Sequence, residues 1–190
     1  GGSRFLAGFK RMKAYVALLH SIVLGDGRRV VMADLKAMAE ALGCRAPRTL
    51  VATGNLLFEA PEKPLAELEA ELEKAFEKTF GRHVDIIVRS AEDWSRLAAG
   101  NPFLAESERD PASVHVRVMR LPLEVDMREK LLGYCSRGER VAIVDGDLWV
   151  DFAGKASESK LLGALTTKRL GIGTVRNWNT VKGLRGMVAG

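Results

Sequence analysis

The residue types best suited to chemistry are gathered near the C-terminus, in Arg176-Asn177-Trp178-Asn179-Thr180. Two amides, an arginine and an indole in four positions are costly to bury without partners. Read as a strand, the segment puts Arg176 and Trp178 on one face and Asn177 and Asn179 on the other. One reading is a polar pocket in which Arg176 meets a carboxylate or phosphate. Lys160, opening the preceding helix, would add a second positive charge, and Asn55 an amide from the first half of the chain. The other reading is architectural: Asn179 or Thr180 caps the last helix, Asn177 satisfies loop backbone, and Trp178 fills the core.

Several other chemistries fail on pattern. Gly154-Lys155 is followed by Ala156, and Trp149 stands where a P-loop needs its first glycine. Neither Gly25-Asp26-Gly27 nor Gly171-Ile172-Gly173 completes a dinucleotide-binding fingerprint, because Val30 and Arg176 occupy the closing positions. There is no G-x-S-x-G elbow and no H-E-x-x-H helix. Asp145, Asp147 and Asp151 suit a hard cation, but an EF-hand needs a further acid at Trp149, and a turn is the better reading. His20, His83 and His115 are too scattered to imply a metal site by spacing. No nucleophile–base pair is visible. The sequence therefore yields no catalytic residue, no metal ligand and no cofactor.

Composition bounds the partners. With 47% hydrophobic and 28% charged residues, the 190-residue chain reads as globular. A net charge of +5 favours polyanions, and from Ser159 to Gly190 there are six bases and no acid. Against nucleic acid, aromatics are only 6% and no RNP-like string occurs, so stacking platforms are scarce. Cys44 and Cys135 stand far apart in sequence and read as buried, reduced thiols, which suggests a cytoplasmic setting. Basic residues before the apolar run Ala14–Leu24 imitate a signal peptide. His20 and Ser21 interrupt that run, no cleavage pattern follows, and it is too short to span a bilayer, so no membrane association is expected. Gly1-Gly2-Ser3 reads as a vector remnant, with Met12 as the native start.

The elements that must position these residues come in two similar sets. Tyr15–Leu19 predicts a strand; Leu35, Met38, Ala39 and Leu42 a helix closed by Gly43; residues 49–58 a hairpin around Thr53-Gly54. Leu65, Leu68, Leu72, Phe76 and Phe80 mark a long helix, Val84–Val88 a strand, and Ser90 the cap of an extra helix through Trp94. From Asp110 the order repeats. Val114, Val116 and Val118 alternate as a half-buried strand, and a helix from Pro122 carries Val125, Leu131, Leu132 and Cys135 inward. A hairpin turns at Asp145-Gly146, a helix runs through Leu161–Leu170, a strand over Val175–Trp178, and a last helix starts at Thr180. The expected fold is α+β: two tandem ferredoxin-like βαββαβ units, each with an antiparallel four-stranded sheet and an extra helix. Residues 1–11 form a remnant or extension, 12–103 and 113–190 the repeats, and the polar stretch 104–112 the linker.

The segments Met12-Lys-Ala-Tyr-Val-Ala-Leu-Leu, Thr53-Gly-Asn-Leu-Leu-Phe, Asn101-Pro-Phe, Ser159-Lys-Leu and Arg176-Asn-Trp-Asn-Thr-Val, in this order, resemble the bacterial family called domain of unknown function 1697. The resemblance runs from Met12 to about Met187 and implies a duplicated α+β fold without an established activity. After the first strand the chain departs from the family pattern, with His20, Ser21, Val23 and Asp26 replacing an arginine, a glycine, an asparagine and a glycine. Those losses remove anion-binding and close-approach capacity, so a family site in this loop would be altered or lost. The candidate ligand-binding set is Thr53, Gly54, Asn55, Lys160, Arg176, Asn177, Trp178 and Asn179, taking a small phosphorylated or carboxylated ligand between the two halves. The alternatives are a nucleic-acid or polyanion module and a structural or dimerising protein.

Overall fold

Alternation along the first strand, β1 (Met12–Leu19), sends Tyr15, Ala17 and Leu19 into one core. The structure, a computed structural model, describes residues 11–189; apart from Arg11, the extension expected over 1–11 lies outside the described residues. The chain divides into two units, the first running to Trp94 and the second from Ser95 to Val188.

In the first unit β1 is followed by α1 (Met32–Ala41), β2 (Arg45–Thr49), β3 (Asn55–Pro61), α2 (Leu65–Phe80) and β4 (Ile86–Ser90). The strands pair antiparallel in the order β2-β3-β1-β4. Tyr15 lies opposite Phe58 and their rings stack at 5.6 Å. Leu35, Met38 and Ala39 of α1 and Leu68, Leu72 and Phe76 of α2 join this core, each large side chain contributing roughly 1.5–3 kcal/mol of transfer free energy. Helix α2 also protects the sheet edge. The N–H groups of Ile86 and Val88 in β4 donate to Glu73 Oε2 (3.1 Å) and Glu69 Oε2 (3.0 Å), one helical turn apart. Donors that would template a further strand are thereby satisfied.

Ser90 opens α3 (Ala91–Ala99) as expected, its Oγ accepting from the Asp93 N–H at 3.1 Å. The stretch read as a linker contains α4 (Leu104–Arg109), because Asn101 supplies local bonds: its Oδ1 accepts from the Phe103 N–H and its Nδ2 donates to Ser107, both at 2.8 Å. The second unit continues with β5 (Val114–Met119), α5 (Met127–Leu131), β6 (Arg140–Val144), β7 (Asp147–Asp151), α6 (Lys160–Ala164), α7 (Thr167–Leu170), β8 (Gly173–Asn177) and α8 (Trp178–Ala189). Its sheet is antiparallel in the order β6-β7-β5-β8, the same arrangement as the first.

Three local expectations are corrected here. The helix expected from Pro122 is short, and Val125 and Leu132 are exposed while Leu131 is buried. The single helix expected over 161–170 is two, because Thr166 breaks it and caps the second by accepting from the Arg169 N–H. Along β5, Val114, Val116 and Val118 are buried, but Arg117 and Met119 on the opposite face are buried too. Met119 belongs to the core with Leu131, Leu148, Leu161 and Leu170. Arg117 is tolerated there because the ends of α6 and α7 offer it carbonyls, at Leu165 and Gly171. Gly173 is required beside it, since a Cβ there would come within 2.8 Å of Arg117 Nε. Among the described residues no helix is long and apolar enough to cross a membrane.

Candidate functional site

The C-terminal segment is split between two elements. Strand β8 ends at Asn177 and Trp178 begins α8, so Arg176 and Trp178 do not share a strand face. Capping falls to Asn177, whose Oδ1 accepts from the Thr180 N–H at 3.1 Å. Asn179 is exposed, whereas Trp178 is buried 6.0 Å from the Trp149 ring with Arg185 over its face. Arg176 sits opposite Val116 and is 9% exposed. Its Nη1 donates to Thr174 Oγ1 (2.7 Å) and to the Val175 carbonyl (3.0 Å). Burial pushes its pKa down to about 10, so the guanidinium stays charged at neutral pH. Lys160 is exposed at the start of α6, where Ser159 provides the cap and also donates to Glu139.

Thr53, Gly54 and Asn55 lie in the first unit. The expected hairpin is present, with β2 ending earlier and a 3-10 turn, Val51–Thr53, between the strands. Asn55 is fully buried and its Nδ2 donates to the Leu50 carbonyl (3.0 Å) and to Thr53 Oγ1 (2.9 Å), stapling the turn. Gly54 has φ +90° and its carbonyl accepts from the Leu19 N–H; a Cβ would sit 3.0 Å from both Leu19 Cβ and Ile22 Cγ2. The distinctive residues of this turn therefore hold the backbone against β1.

A cleft that the sequence did not indicate lies elsewhere in the first unit. It encloses about 610 Å³ and is lined by Leu24, Val30, Met38 and Phe80 with Arg28, Arg29, Asp34 and Thr79, among others. That volume falls in the range of small-molecule sites. One wall is formed by Leu24 and residues 28–31 of the loop between β1 and α1. Val30 N–H donates to the Ile22 carbonyl and Leu24 N–H to the Arg28 carbonyl, closing a small ladder. Asp26, at a position where relatives are expected to have glycine, accepts from the Arg28 backbone N–H (3.1 Å) and from Arg28 Nε (2.5 Å). Those bonds, the backbone one foremost, hold its carboxyl below the usual range. Arg29 is exposed and, among the described residues, its guanidinium has no side-chain partner. The Arg28-Arg29 pair was visible in the sequence, but nothing there linked it to Met38 and Phe80 on two helices.

Cys44 and Cys135 are free and half-buried, and burial pushes both thiols up, away from the reactive thiolate.

Comparison with known proteins gives a family and a fold. The family described as Protein of unknown function (DUF1697) matches residues 12–149. A solved structure of a conserved bacterial protein from Streptococcus pneumoniae aligns with a TM-score of 0.73 and 24% identity, over 95% of this chain and 100% of that one. No curated protein matches the chain.

Proposed function

This chain belongs to the DUF1697 family, which is defined without an activity, and from that premise we propose that it binds a small anion carrying an apolar body in the cleft of the first unit. The observation that carries this reading is the cleft itself, whose lining combines Arg29 and the Asp26-paired Arg28 with the apolar Leu24, Val30, Met38 and Phe80. An apolar floor rewards burial of a ring or short alkyl body, while a guanidinium recognises a carboxylate or phosphate in a paired geometry. Asp34, also in the lining, repels negative charge placed beside it, which favours a ligand with one compact anionic end. We read both units as ferredoxin-like folds, supported by their common strand order and antiparallel pairing, and place the protein in the cytoplasm, in keeping with its free thiols.

The test is thermal unfolding and NMR shift mapping against aryl and alkyl phosphates and carboxylates at low and high salt. At a hundredfold excess over Kd a ligand should stabilise the chain by about 2.7 kcal/mol. Arg29→Glu and Met38→Trp should each abolish that shift. An equal shift in both variants would sink the reading.

A second site is favoured by one observation. Arg176, a buried cation, lies two residues before Trp178, where α8 begins, and the first turn of that helix carries no acid to oppose an anion. A ligand at this site would move Trp178 fluorescence and lose affinity in Arg176→Ala, with Arg29→Glu unaffected.

A further inference from the structure

We propose that Glu73, His83 and Asp85 form a binding site for a first-row divalent cation, with Zn²⁺ the best-matched ion. The site does not depend on the cleft reading, and it lies where α2 gives way to β4. Gly81, at φ +77°, ends the helix, and His83 and Asp85 follow two residues apart, turned back toward Glu73 on α2. Their donor atoms all lie within 4.8 Å of one another. His83 Nε2 is 3.0 Å from Asp85 Oδ1 and 4.0 Å from Glu73 Oε2. Tetrahedral zinc with nitrogen and oxygen ligands at about 2.0–2.2 Å spaces its ligands roughly 3.3–3.6 Å apart. The two separations from His83 bracket that value, and the Glu73–Asp85 pair lies within 4.8 Å, so small side-chain rotations would bring the three donors to one ion.

The surroundings suit a cation. Glu73 is held in place by the Ile86 N–H bonded to its Oε2 at 3.1 Å. Glu77 adds a further negative field at His83. The one arginine next to His83, Arg82, directs Nη1 toward the Val23 carbonyl at 3.4 Å. An imidazole with two carboxylates is a donor set for zinc, cobalt, nickel or manganese rather than for calcium or a thiolate-seeking ion. The His83 side chain is 55% exposed, so water can fill the remaining positions and the metal can exchange. A proton on His83 is the competitor, because a protonated imidazole between the same carboxylates satisfies them without metal.

The experiment is calorimetric titration of the full chain, free of any histidine tag, with ZnCl₂ at pH 7.5, alongside visible spectroscopy with Co²⁺. One equivalent is expected, with weak ligand-field bands and no thiolate charge-transfer band. His83→Ala and Glu73→Gln should each weaken binding at least tenfold. Glu73→Gln retains an acceptor for the Ile86 N–H, so its metal-free unfolding midpoint should stay near that of the parent chain. Absence of saturable binding, unchanged affinity in either variant, or a thiolate band that disappears in Cys44→Ala or Cys135→Ala would overturn the proposal.

Discussion

Arg117 Nη2 donates to the Gly171 carbonyl at 2.9 Å while Nη1 reaches the Leu165 carbonyl at 3.3 Å, so one buried guanidinium closes the C-terminal ends of α7 and α6. A cation at the negative end of a helix is favourable, and here it bonds the carbonyls of both C-cap residues, Leu165 and Gly171. The cost is visible in its Nε, which is buried without a partner, and in a pKa lowered by burial. Removing the side chain leaves two carbonyls and a cavity. Arg117→Ala should lower stability by about 3 kcal/mol in urea unfolding. Arg117→Lys should recover only part of that, since an ammonium cannot span both carbonyls as a fork does.

Asn55 tests whether the Thr53-Gly54-Asn55 turn is architectural. Its amide is fully buried and bonded to Leu50 and Thr53. Asn55→Ala should cost about 2 kcal/mol, because the Leu50 carbonyl loses its side-chain donor. Thr53→Ala removes one acceptor of that buried amide and should cost about 1 kcal/mol, less than Asn55→Ala. Anion affinity at the cleft, measured by isothermal titration, should be unchanged in both. Loss of affinity in Thr53→Ala would instead bring the turn into the site.

Glu69 is the more buried of the two α2 carboxylates serving the β4 edge. Glu69→Ala should destabilise the chain by about 2 kcal/mol through the orphaned Val88 N–H. Glu69→Gln, which keeps an acceptor, should cost less. Because the edge would then present an open donor, the alanine variant should also self-associate more readily in light scattering at matched concentration.

The elements were legible wherever periodicity and local turn chemistry act together. The Leu68, Leu72, Phe76 stripe, the Gly81 stop and the Asp145-Gly146 turn, with φ of 50° and 84°, follow from short-range rules. The buried face Val114, Val116, Val118 of β5 was legible, but the burial of its second face was not, because Arg117 breaks the hydrophobic pattern and its acceptors come from carbonyls about fifty residues away. Likewise Asn177 rather than Asn179 or Thr180 became the cap, since strand β8 ends one residue earlier than its polar pattern suggests. The cleft drew on residues from a loop and two helices, and the Glu73, His83, Asp85 cluster spans a helix and the turn after it. Neither has a spacing that a linear pattern could encode. Arg176-Asn177-Trp178 stood out through residue types that the fold spends on burial and capping.

His83 and His115 should titrate in opposite directions. The hydrogen bond to Asp85 is the main cause raising His83 above the usual 6.5, with Glu73 and Glu77 adding to it. Burial is the main cause lowering His115, whose ring meets Phe152 edge-on at 5.0 Å and whose Nδ1 has no partner. The signs follow from linkage. The His83 contribution to stability is complete below 6.5 and is lost as pH rises through its folded value. The His115 contribution is complete above 6.5 and is lost as pH falls through its folded value. The His83 and His115 imidazole resonances followed by NMR should therefore give a midpoint above 6.5 for the first and below 6.5 for the second. Asp85→Asn should return the first toward 6.5 and flatten the decline in stability on its alkaline side. His115→Phe should remove the acid-side loss. If added Zn²⁺ occupies His83, the upper midpoint should disappear from the titration while the His115 midpoint stays where it was; a shift of both together would mean the two imidazoles are not the independent reporters that their separate environments imply.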